Sequence, residues 1–160
     1  MKIENYISMS SLNILTIPKY EKKLREKSND LKIDLIATPE MQKFFKELAE
    51  TMFAANGLGL AAPQVARQIR VIAVNVAGLA HIFINPHITK KSLFKDIVEE
   101  GCLSVPGRYG KVKRPKKITM EYLDKTGQWH KQKFTGLTNR VIQHEIDHLD
   151  GLLFIDKLIK

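Results

Sequence analysis

The segment Gln143-His144-Glu145-Ile146-Asp147-His148 constrains this chain more than any other. In a helix, residues four apart project from one face a turn from each other, so His144 and His148 could both bind a single metal ion. Glu145 stands between them, where a carboxylate can take a proton from water on that ion. Such an HExxH helix predicts metal-assisted hydrolysis. Two histidines leave the site incomplete, because a catalytic metal usually takes three protein ligands and keeps a further position open. One class of metallopeptidases continues the motif as HExxHxxGxxH. Gly151 falls where its glycine would, but Phe154 stands where its third histidine would. The acids that follow are Asp150 and Asp156, close to the end of the sequence, so the third ligand is expected upstream.

Upstream lie the single cysteine, Cys102, and three further histidines, His81, His87 and His130. A lone thiol is more often a small buried hydrophobe than a ligand. The incomplete HExxH site reverses that preference, and flanking glycines at Gly101 and Gly107 let the backbone around Cys102 turn sharply or approach a ligand. His81 and His130 fall in expected strands and His87 follows a proline, which suits surface or structural roles. His87 is the substitute ligand should Cys102 fail.

Gly57-Leu58-Gly59-Leu60-Ala61-Ala62-Pro63-Gln64, Glu100-Gly101-Cys102-Leu103-Ser104 and Gln143-His144-Glu145-Ile146-Asp147-His148-Leu149 resemble, in their order, the three signature motifs of the peptide deformylases. The residue chemistry reaches hydrolysis of an amide or ester; the resemblance supplies the substrate. It implies removal of the formyl group from N-terminal N-formylmethionine of nascent polypeptides, with release of formate. It implies Cys102, His144 and His148 as metal ligands, Glu145 as the catalytic acid and base, and Gln64 with the Leu103 backbone N–H as oxyanion donors. The metal implied is one divalent ion, Fe2+ by the habit of the family, with Zn2+, Ni2+ or Co2+ as alternatives. The same resemblance has the backbone at Leu58 and Gly59 pairing with an extended peptide, and residues around Arg140, Val141 and His144 lining the methionine pocket. Glu100 and Arg114 occupy positions that pair in many members. This chain departs at Ala66, where a glycine is usual, and at Arg140, near a pocket position that is often apolar. It also lacks a long helix after His148, so ribosome docking through such a helix is not expected.

The 160 residues suit one domain spanning 1–160, and an apolar fraction of 44% with 27% charged residues is that of a soluble globular protein. Apolar runs are too short for a membrane span, and polar residues near Met1 break any signal-peptide core. One cysteine allows no intrachain disulfide, which fits a reducing compartment and a cytosolic default; the resemblance implies the bacterial cytoplasm, with an organelle as the alternative. The net charge of +9 is spread over scattered lysines without interleaved aromatics. That predicts a solvated basic surface, weak ribosome association at most, and no specific nucleic-acid binding. A monomer is expected.

The expected fold is α+β, with mixed or antiparallel sheets packed around the C-terminal HExxH helix and one further long helix near the N-terminus. Residues 1–11 read as a loose extension, 12–17 as a short extended piece, and 19–32 as a solvated loop or ragged helix. Thr38 caps a helix from Pro39 to Asn56 whose Met41, Phe44, Phe45, Leu48 and Met52 form a core stripe. The Gly57–Gln64 segment follows a helix and runs into Pro63, which argues against a dinucleotide loop and for a strand or turn approaching something closely. Strands are expected at 69–76 and 80–85, ended by Pro86, and at 96–102. A basic loop is expected at 106–115, a hairpin at 117–123 and 128–134, and the last helix at 138–149. Two other chemistries remain open from the residues alone. One is an endopeptidase cutting internal bonds; the other is a closed, purely structural metal site.

Overall fold

The computed structural model describes residues 11–159. The expected N-terminal extension falls almost wholly outside the described residues. In chain order the elements are α1 (Glu21–Leu24), α2 (Ile33–Ile36), α3 (Pro39–Ala54), β1 (Gly59–Ala61), β2 (Val71–Val76), β3 (Leu79–Lys91), β4 (Lys95–Cys102), β5 (Val105–Pro115), β6 (Lys117–Leu123), β7 (Trp129–Thr135) and α4 (Gly136–Leu149), with 3₁₀ turns at Ala62–Val65 and Phe154–Lys157. The architecture is α+β: a five-stranded antiparallel sheet in the order β1-β2-β3-β6-β7, and a separate antiparallel pair, β4-β5.

Strand β2 explains the layering. Val71, Ile72, Ala73 and Val74 are all fully buried, and alternate members enter different clusters. Val71 and Ala73 pack with Phe44, Phe45, Leu48 and Met52 of α3, whereas Ile72 and Val74 pack with Val141, Ile142 and Ile146 of α4. A strand covered on both faces reads as a continuous apolar run, which is what the sequence shows here. Helix α3 starts at the expected cap, the Thr38 hydroxyl accepting from the Met41 N–H at 3.4 Å, and Pro39 opens its first turn.

Two expectations at the level of elements need correction. Pro86 does not end a strand; β3 runs through it to Lys91, because the proline falls at an irregularity in the register with β6, between the Ile84 and His87 pairings, where the ladder is already interrupted. The segment 106–115 is not a loop but β5, since β4 needs a partner and finds it in this neighbour across the two-residue turn Leu103-Ser104. The segment 19–32 is ragged, as expected, with one helical turn at Glu21–Leu24 anchored by the buried Leu24.

The β6–β7 hairpin is fastened by Asp124. Its Oδ1 accepts from the Thr126 N–H at 2.8 Å, the Thr126 hydroxyl at 2.6 Å and the Gln128 N–H at 3.1 Å, while its Oδ2 lies 2.6 Å from His130 Nε2. Burial nudges this carboxyl upward, but the hydrogen bonds from Thr126, His130 and Gln128 outweigh it and hold the group well below its ordinary 3.8. A carboxyl depressed on folding contributes stability that is complete above its unfolded value and is lost as pH falls through the folded one. The thermal midpoint should therefore decline as pH drops below about 4, and Asp124→Asn should reduce that decline in a melting series from about pH 6 to pH 2. An unaltered slope in the variant would show that Asp124 does not carry it.

Candidate active site

Helix α4 lies between the two sheets and shows each a different chemistry. Its apolar face meets the five-stranded sheet; Arg140, His144, Asp147 and His148, spaced as successive turns of one face, meet β4, β5 and the C-terminal turn. Cys102, at the end of β4, closes on that face. Its Sγ is 3.2 Å from His148 Nε2, and the donor atoms of Cys102, His144 and His148 all lie within 4.8 Å of one another. Neither His81 nor His87 nor His130 joins this group; His130 is held by Asp124 instead. Phe154, in the position of the third histidine of the longer peptidase motif, is buried and stacks beside the His144 ring with centroids 6.2 Å apart.

The donor set fits a metal. His144 Nδ1 lies 3.0 Å from Glu100 Oε2, so its N–H points to the carboxylate and its Nε2 is left for a ligand bond. Burial opposes charge on His144, but the Cys102 sulfur and the Glu100 carboxylate, with Glu145 behind them, raise it to about 10. One thiol and two imidazoles whose donor atoms converge form a set that divalent ions take readily, and the carboxylate behind His144 orients its ring for that role. His148, wholly enclosed, is pushed well below its ordinary value, by burial first and then by the His144 and Arg114 charges. It is therefore neutral and keeps a lone pair for a metal.

Around the triad the polar groups are placed by specific backbone features. Glu145 is buried, and its Oε2 has no hydrogen-bond partner among the described residues. Burial pushes its carboxyl up to about 7, against the lowering influence of His144 and Arg114. The other oxygen sits under Gly59 of β1, where a Cβ would collide with Glu145 Oε1 and come within 2.7 Å of Val141 Cγ1. That close approach explains why glycine occupies the position. Gln64 is enclosed in the 3₁₀ turn. Its Oε1 accepts from the Ala61 N–H at 2.8 Å, which turns its Nε2 toward Ser104 Oγ at 3.1 Å and Cys102 Sγ at 3.7 Å. Ala66, where a glycine was expected by resemblance, keeps the left-handed conformation that glycine would favour, with φ 65°. The segment 12–17 binds both halves of the site, through Leu15 N–H to the Gln64 carbonyl at 2.8 Å and Ile17 N–H to the Ser104 carbonyl at 2.9 Å.

Glu100 and Arg114 do pair, and the pair is buried rather than exposed. Arg114 Nε and Nη2 donate to the two Glu100 oxygens at 2.6 and 2.9 Å, and Nη1 donates to Asp147 Oδ2 at 2.8 Å. Burial raises the Glu100 carboxyl, but Arg114 and His144 overcome this and hold it far below the carboxylate range. The cleft that opens onto the triad has a volume of about 580 Å³ and is walled by Leu58, Val98, Leu103, Leu137 and Val141, with Arg140 beside them. Reading the sequence did not single out Asp147, Asp96 or Ser104. Their partners are 33, 44 and 40 residues away; Asp147 and Ser104 lie within the quoted motifs, whereas Asp96 carried no signal.

A family model for polypeptide deformylase matches residues 11–160. The chain belongs to the polypeptide deformylase family. It is 44% identical over 119 residues to a peptide deformylase of Treponema pallidum strain Nichols, covering 74% of each chain. It is 40% identical over 157 residues to that of Afipia carboxidovorans, covering 95% of this chain and 89% of the relative. Among solved structures, the peptide deformylase of Thermotoga maritima superposes with a TM-score of 0.87 at 31% identity, over 94% of this chain and 99% of that one. A class I type b peptide deformylase of Acinetobacter baumannii bound to Met-Ala-Ser gives 0.86 at 30% identity, over 92% and 98%. The chain is thus an enzyme, a hydrolase that removes the formyl group from the N-terminal N-formylmethionine of nascent polypeptides. Among the described residues no helix is long and apolar enough to cross a membrane.

Proposed function

We propose that Cys102, His144 and His148 hold one divalent metal ion, Fe2+ in the cell with Zn2+, Ni2+ or Co2+ as substitutes, and that Glu145 carries the proton of deformylation. The observation that supports this best is the buried Glu145 carboxylate, one oxygen unpartnered, next in sequence to a histidine of a compact thiolate and imidazole cluster. The ion, when bound, polarises water and the formyl carbonyl. Glu145 accepts the proton that the attacking water loses and delivers it to the departing amine. Its dry setting, with a carboxyl raised toward neutrality, suits it to both transfers. Gln64 Nε2 and the Leu103 N–H donate to the formyl oxygen as negative charge gathers there. Because Ala61 fixes the Gln64 amide, that donor is aimed before substrate arrives.

The backbone at Leu58 and Gly59 pairs with the extended peptide, and Val141 with the aliphatic stem of Arg140 forms the wall beside the methionine side chain. The whole chain acts as a single domain and a monomer in the cytoplasm of a bacterium or a bacterium-derived organelle. The scattered charge of +9 gives it no more than weak ribosome association.

The test is formate release from N-formyl-Met-Ala-Ser by protein purified without oxygen, with metal assayed in the same sample. Release should track about one metal per chain, stop on chelation and return with Fe2+ or Ni2+. Gln64→Ala should lower kcat by about 10²- to 10³-fold with metal retained. Folded, metal-loaded protein that releases no formate, or that cuts a blocked internal peptide, would overturn the assignment.

A further inference from the structure

Cys102 and the two histidines belong to different parts of the fold, so the shape of their cluster depends on how α4 is fixed to the β4–β5 pair. That joint is polar. Arg140, one turn before His144, is buried, with its guanidinium spread across four acceptor atoms of three residues. Nη1 donates to Glu100 Oε1 at 2.6 Å and to the Val112 carbonyl at 3.2 Å; Nη2 donates to the Asp96 carboxylate at 2.6 Å and to the Asp96 carbonyl at 3.2 Å. Asp147, almost one turn after His144, is held by Arg114 and Lys157. Three acids (Asp96, Glu100, Asp147) and three cations (Arg114, Arg140, Lys157) therefore balance across the joint. His144 is bracketed by two anchors, and one of them shares Glu100 with it.

We propose that Arg140 is a positioning residue of the metal centre: it ties α4 to β4 and, through Glu100, fixes the ring of His144 relative to Cys102. This rests on the reading that Cys102, His144 and His148 are the ligands. Both Glu100 oxygens are engaged by Arg114, and Oε1 also receives Arg140 while Oε2 receives His144. Arg114 reaches α4 only through Asp147, on the far side of His144. Without Arg140 the first half of the helix keeps no charged link to β4, only the Asn139 and Gln143 amides on the Pro115 carbonyl of β5; Glu100 stays on Arg114, and the helical turn that carries His144 is free to shift against it. The His144 side of the cluster then loosens, while His148, nearer the Asp147 anchor, is held. A lysine at this position carries the charge but cannot reach acceptors on three residues as a planar fork does.

The experiment uses the full chain loaded with cobalt(II), whose visible bands and thiolate charge-transfer intensity report ligand geometry. Arg140→Met should change that spectrum and release metal to a chelator about tenfold faster, the range seen when a partner of a metal-bound histidine is removed. Arg140→Lys should restore only part of the difference. Asp96→Asn alters an exposed partner of Arg140 and decides the matter if Arg140→Met does not fold; it should shift the spectrum in the same direction, with metal release about threefold faster. A wild-type spectrum and wild-type metal release in both Arg140→Met and Asp96→Asn would overturn the role of Arg140. His144→Ala separates the two readings: if it binds cobalt as the parent does, the ligand assignment itself fails.

Discussion

Glu145→Ala should lower formate release by about 10³-fold or more while one metal per chain stays bound, the loss expected when a general acid and base is deleted from an otherwise intact site. The side chain is proposed as a proton carrier and not as a ligand, so metal content separates this outcome from disruption of the centre. Glu145→Gln should be equally inactive, because an amide of the same shape accepts no proton. It removes a buried carboxylate whose Oε2 is unpartnered, so its unfolding midpoint should not fall below that of the parent. Metal assay, steady-state rates and thermal melts on the same samples check all three statements. Residual activity within tenfold of the parent would assign the proton to another group.

Arg114→Ala should be the most destabilising single change near the site, by about 3–5 kcal/mol, because it strips a guanidinium from two buried carboxylates at once. Glu100 would keep Arg140 and His144, and Asp147 would keep Lys157, but the bidentate contact that aligns Glu100 with His144 would be gone. Metal affinity should fall about 10- to 100-fold in consequence. Urea unfolding of apo and metal-loaded protein measures both effects. Arg114→Lys should recover less than half the lost stability, since one ammonium cannot bridge the two acids in the same geometry. A variant with parental stability and metal content would reduce the network to a bystander.

Gly59 and Arg140 show how much the position of a residue in the sequence hides. Gly59 read as a small residue near a backbone approach; the structure shows that what approaches is the Glu145 carboxylate. Arg140 read as an oddity beside an apolar pocket, yet its guanidinium is consumed by Asp96, Glu100 and the Val112 carbonyl, so its stem is what remains for the cleft.

By itself the sequence determined everything that local spacing can express. The four-residue interval of His144 and His148 places two candidate ligands on one helical face, the stripe from Met41 to Met52 defines the face of α3, and the Val- and Ile-rich segment 69–76 marks a strand. Cys102 as the candidate third ligand was legible only because the motif demanded one, and the structure brings its sulfur to the two imidazoles. What the tertiary structure alone decided was set by contacts between residues far apart in the chain: β5 as the partner of β4, the passage of β3 through Pro86, and the ion network joining α4 to the smaller sheet. Those outcomes depend on which unpaired backbone and which buried charge finds its complement after collapse, and no local pattern encodes that.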